Sequence, residues 1–148
     1  MSGRLIGLIL LAATSGRGQS DVQYMGGTEG RLKSGKQGSI TLADDRYLAF
    51  YSGKTQLRVA YDRINLLEYG QQVDRRLALA LLISPVFLLS KSRKHFLTIG
   101  YTGPDGRQQA VIFRVDKNSI RPALVALEAR TGLKVQYQDE EARKARNQ

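Results

Sequence analysis

The chain has 148 residues, 42% of them hydrophobic and 24% charged, with 23 Lys and Arg against 13 Asp and Glu for a formal charge of +10. That is one domain's worth of chain with enough apolar content for a core, so wholesale disorder is excluded, and the charge favours anionic partners: phospholipid head groups, nucleic acid or an acidic protein face. There is no cysteine, which excludes disulfides, thiolate metal sites, a cysteine nucleophile and a lipid-modified N-terminal cysteine.

The first twenty residues, "MSGRLIGLILLAATSGRGQS", place Arg4 before an apolar stretch from Leu5 to Ala13, followed by small and polar residues. This is the layout of a secretory signal peptide, and the stretch is too short to span a bilayer as a helix. Cleavage is expected after Ser20, ahead of Asp21, with a cut after Ser15 as the alternative. The protein is therefore expected to be exported, periplasmic or secreted. Residues 21–138 form the expected domain, and 139–148, "DEEARKARNQ", a charged tail without an apolar face.

Residues 21–36, rich in Gly, Ser and Lys, read as an irregular lead-in with one short strand around Thr28 to Lys33. Short alternating segments follow, separated by turns. "SITLA" puts Ile40 and Leu42 on one face, and Asp44-Asp45 marks a turn. "RYLAFYS" sets Leu48 and Phe50 against Tyr47 and Tyr51. After "SGK", "TQLRVAY" sends Leu57, Val59 and Tyr61 inward and Gln56 and Arg58 outward. In "DRINLLEYG", the adjacent Leu66 and Leu67 break the alternation and predict a bulge or a strand buried on both faces.

"HFLTIGYTGPDGRQQAVIFRV" reads as a hairpin turning at Gly103-Pro104-Asp105-Gly106. In "NSIRPALVALEARTG" the period changes. A helix is predicted over 119–131, capped by Ser119, with Pro122 in its first turn, Ile120, Leu124 and Leu127 on its apolar face, and Gly132 ending it. "LKVQYQ" adds a last short strand through Leu133, Val135 and Tyr137. About seven strands and then a helix mean α+β: a small antiparallel barrel or sandwich closed by a C-terminal helix.

That order resembles the pleckstrin-homology (PH) superfold, including its bacterial and GRAM-like members. "GSITLADDRYLAFYSGKTQLRVAYDRINLLEYG" (38–70) looks like the first half of such a domain, with Tyr61, Asp62, Arg63 and Ile64 forming the step into the next strand. "KHFLTIGYTGPDGRQQAVIFRV" and "SIRPALVALEARTG" look like its closing hairpin and helix. The likeness covers about residues 28–137. It implies a binding module: PH-like domains bind phosphoinositides, other lipids, peptides or proteins. The chain departs from the pattern in its signal peptide and in an apolar insertion at 77–90.

That insertion lies within "RRLALALLISPVFLLSKSRKH" (75–95). Leu77, Leu79, Leu81, Leu82, Ile83, Val86, Phe87, Leu88 and Leu89 form a run with no polar side. Burying each is worth roughly 1.5–3 kcal/mol, so most must leave water. A helix over 77–90 would be about 21 Å long, short of the roughly 30 Å hydrocarbon core, and Pro85 splits it. Three occupants fit: the protein's own core, one leaflet of a membrane, or a partner or second copy. The rim of Arg75, Arg76, Lys91, Arg93 and Lys94 favours an anionic lipid surface. The expected contact residues are Arg75, Arg76, Leu77, Leu81, Leu82, Val86, Phe87, Leu88, Lys91, Arg93 and Lys94. An unknown protein partner is the rival. Basic and aromatic residues do not interleave regularly, which argues against nucleic acid.

No catalytic pattern appears, so no enzymatic activity, cofactor or small-molecule substrate is expected. His95 is the single histidine and has no second ligand near it in sequence; Asp44-Asp45 reads as a turn; Ser34-Gly35-Lys36 does not meet P-loop spacing.

Overall fold

A computed structural model describes residues 19–73, 75–81, 83 and 94–138. The expected leader up to residue 18, the tail at 139–148, and the run members Leu82, Val86, Phe87, Leu88, Leu89, Lys91 and Arg93 lie outside the described residues.

The elements are β1 (Gln19–Gly27), β2 (Lys36–Thr41), β3 (Tyr47–Ser52), β4 (Thr55–Ala60), a 3-10 turn (Tyr61–Arg63), β5 (Ile64–Gly70), α1 (Arg75–Ala80), β6 (His95–Thr102), β7 (Gln108–Val115), α2 (Lys117–Thr131) and β8 (Gln136–Tyr137). The strands form one eight-stranded sheet in the order β4-β3-β2-β1-β7-β6-β5-β8. Every neighbouring pair is antiparallel except β5–β8. The fold is α+β, as expected. Among the described residues, however, its sheet is open, with β4 and β8 at its two ends.

Alternation explains most of these strands. Leu48, Phe50, Leu57, Val59 and Tyr61 are buried, while Tyr47, Tyr51, Gln56 and Arg58 face water. The Asp44 carboxylate accepts from the backbone N–H groups of Arg46 (2.7 Å) and Tyr47 (3.0 Å), closing the β2–β3 turn. The Leu66-Leu67 irregularity is a register shift between Ile64 and Leu66, as the broken alternation predicts.

The lead-in differs from the sequence expectation. The strand spans Gln19–Gly27, and the segment around Thr28 to Lys33 is turn and irregular chain. A bulge hid it: the register against β7 shifts between Tyr24 and Gly26, so Tyr24 and Met25 are both buried.

The helix starts earlier than predicted. Asp116, not Ser119, is the cap: its carboxylate accepts from the Asn118 N–H at 3.0 Å. Pro122 thus falls in the second turn. It leaves the Asn118 carbonyl without a helical donor, at an exposed position of the helix. Gly132 ends α2 in the left-handed region at φ 73°, its N–H bonded to the Glu128 carbonyl at 2.9 Å.

Ile120, Leu124 and Leu127 of α2 pack into the main core with the inward side chains of β1–β7. Tyr24, Phe50 and Phe113 sit at its centre, Phe50 and Phe113 with ring centroids 5.1 Å apart. Residues of opposite parity on three strands, Met25, Phe96 and Ile112, form a second cluster on the other face of the sheet.

Candidate functional site

The second cluster shows where the start of the apolar run goes. Ala78 of α1, together with Leu81 and Ile83, completes it, and Leu77 packs against it. A six-residue helix is marginal alone in water; α1 is held by this outer face. The Leu81 N–H bonds to the Leu77 carbonyl and the Ile83 N–H to the Ala78 carbonyl, both at 2.9 Å. Leu81 is 7% exposed and Ile83 6%. Leu81 was expected at a lipid or partner contact; instead it is part of the protein's own packing, because the outer face of β1, β7 and β6 is itself apolar and needs a cover.

The seat depends on Gly26. A Cβ there would lie 2.6 Å from Ile83 Cγ1 and 3.3 Å from the Leu81 carbonyl oxygen. The absence of a side chain lets Leu81 and Ile83 approach the sheet this closely.

The opposite side of α1 points out. Leu79 is 77% exposed, and Arg76 is also exposed. Arg75 begins the helix, but its side chain lies outside the described residues. Lys94 lies half-buried at the start of β6. Its ammonium is held below the usual lysine range, first by desolvation and then by the Arg114 guanidinium. Arg114 was not foreseen. It sits opposite Phe96 on one neighbouring strand and Gln23 on the other, beside the outer cluster. No local pattern marks it, because only strand register brings it to Lys94. No Asp or Glu occurs from residue 75 to 104, and the three ion pairs among the described residues involve neither Arg76 nor Arg114.

A second feature lies at the other end of α2. Asp45, Arg46, Tyr61, Asp62, Arg130 and Thr131 line an open cleft of about 620 Å³. Arg130 donates to Asp45 Oδ1 at 2.8 Å and to the Leu42 carbonyl at 3.2 Å, with its guanidinium 5.8 Å from the centre of the Tyr61 ring. The cation is thus committed to pinning α2 onto the β2–β3 turn. Burial raises the Tyr61 hydroxyl above its usual range. The Thr131 hydroxyl on the same lining donates to the Leu127 carbonyl at 2.7 Å.

His95 pairs with Tyr69, not with a metal-ligand set. The Tyr69 hydroxyl lies 2.5 Å from His95 Nδ1, and the rings stack at 10°. Burial, and then Lys117, lowers the imidazole pKa. Among the described residues no group of three or more His, Asp or Glu could hold a metal ion, and no helix is long and apolar enough to cross a membrane.

Compared with known proteins, the chain matches no family model and no curated sequence.

Proposed function

We propose that this chain is an exported, non-enzymatic PH-like binding module that makes a peripheral contact with an anionic membrane surface through residues 75–95. Seven antiparallel strands followed by a helix packed on their apolar face support the PH-like reading, with β8 as an addition to that order. The contact reading rests on one observation. Beside its inward anchor at Ala78, Leu81 and Ile83, α1 turns Leu79 and Arg76 into solvent, in a stretch of the chain without a single acid. An exposed apolar side chain among cations, on a rigidly seated helix, suits the head-group region, where each cation near the surface contributes about 1 kcal/mol.

The test is co-sedimentation of the mature protein with vesicles of phosphatidylglycerol and phosphatidylcholine. Leu79→Asp and Arg76→Glu are expected to weaken binding while the thermal transition stays in place. Wild-type protein that stays in the supernatant on anionic vesicles at low salt would end the proposal.

A second reading has its own support. Burial of Leu81 and Ile83 against the sheet favours a run that is largely added core, in a module whose partner is a protein or a second copy. On that reading Leu79→Asp leaves vesicle behaviour unchanged and alters the sedimentation coefficient.

A further inference from the structure

Between α2 and the last strand lies a smaller hollow of about 150 Å³. Tyr69 and Leu124 form its floor and Tyr137 of β8 one wall; Arg121, Val125 and Glu128 of α2 form the other. Val125 is 62% exposed at its rim, a large apolar side chain on the water side of a helix. A hollow of this volume suits one large apolar side chain: an aliphatic cavity of about 150 Å³ takes up benzene.

The hollow adjoins an end of the sheet that already accepts an extended segment. Gln136 and Tyr137 pair in parallel with Glu68 and Tyr69, and the Gln138 N–H bonds to the Tyr69 carbonyl at 3.1 Å. Among the described residues β8 is the last strand in the sheet order, so the hollow lies at an end of the sheet. The rim also carries a charge pattern. Arg121 and Glu128 are seven residues apart on the helix, about 10 Å along its axis, and positions i and i+4 of an extended segment, on one face and about 13 Å apart, fall within reach of these two long side chains.

We infer that this hollow docks an extended peptide segment of a partner protein. The segment places one leucine or aromatic side chain in the hollow, with an acidic residue two positions to one side, towards Arg121, and a basic residue two positions to the other, towards Glu128, so that all three share one face. The site lies on the main-core side of the sheet, opposite the α1 surface. One molecule can therefore hold a membrane and a peptide at once.

The experiment is selection of displayed random ten-residue peptides on the immobilised full chain, followed by fluorescence anisotropy with the synthesised winners. Enriched peptides are expected to carry a large apolar residue between an acid and a base. Val125→Glu should weaken them at least tenfold. Arg121→Glu should do the same and be rescued by changing the peptide's acid to lysine. Both positions are exposed, so circular dichroism should find the fold intact. Failure to enrich any peptide, or winners that bind Val125→Glu and Arg121→Glu as tightly as the parent, would overturn the assignment. Vesicle binding uses the other face and is unaffected by either result.

Discussion

Gly26 and Ile83 fit each other as notch and plug: the isoleucine Cγ1 occupies space within 2.6 Å of where a Cβ on residue 26 would stand. The two residues are 57 positions apart in sequence, and their contact seats Ile83 on the sheet.

Gly26→Val tests that contact. Valine suits a strand, so local propensity alone would stabilise. Displacement of Ile83 should win, with a net loss of about 1–3 kcal/mol in urea unfolding. Ile83→Ala alone should also destabilise. The double variant should lose less than the sum of the two, because the alanine vacates the space the valine needs.

Leu79 and Leu81 are two positions apart and should behave oppositely. Leu81→Asp buries a charge in the outer cluster and should cost several kcal/mol, seen as a fall in the urea midpoint. Leu79→Asp should stay within about 0.5 kcal/mol of wild type, because the side chain is already in water. Equal destabilisation by both would mean that α1 is buried on both sides.

His95 gives the fold a pH dependence with a definite sign. Burial lowers its folded-state pKa below the unfolded value of about 6.5. The unfolded chain therefore binds the proton more readily. The neutral-histidine contribution is complete above about pH 6.5 and is lost as the pH falls through the folded-state pKa. Urea midpoints taken from pH 7.5 to 5 should fall, and His95→Gln should flatten that part of the curve. An unchanged slope in the variant would assign it to other groups.

The helix cap separates two candidates by mutation. Asp116→Ala should cost about 1 kcal/mol, because the Asn118 N–H loses its acceptor. Ser119→Ala, inside the first turn, should be nearly neutral. The reverse result would place the helix start where the sequence pattern alone put it.

Export predicts a processed N-terminus. Mass spectrometry of protein made in a Gram-negative host should find Asp21 or Gly16 as the first residue. β1 begins at Gln19, with Gln19 and Ser20 paired to Thr41 and Ile40. A cut after Ser20 removes that pairing but keeps Val22 to Gly27 on β7; a cut after Ser15 leaves the whole strand. Full-length protein retained in the cytoplasm would end the export proposal.

The chain's own residues announced what depends on near neighbours. Alternation in "TQLRVAY" gave β4 and its inward face. "GPDG" gave the β6–β7 hairpin, and Ile120, Leu124 and Leu127 gave the packed side of α2. Each of these rests on periods of two to four residues, and intrinsic geometry imposes those wherever the chain lies. Tertiary structure decided the rest. β1 was hidden because a bulge at Met25 breaks its period, and a bulge is defined only against the partner strand. The cap fell to Asp116 because β7 ends at Val115 and delivers that carboxylate to the first turn. Val111, Ile112 and Phe113 are all buried, and nothing in their own order says what covers the second face. Arg114 reaches Lys94, and Ile83 reaches Gly26, only through the pairing of strands far apart in the chain, and pairing register is a property of two segments at once.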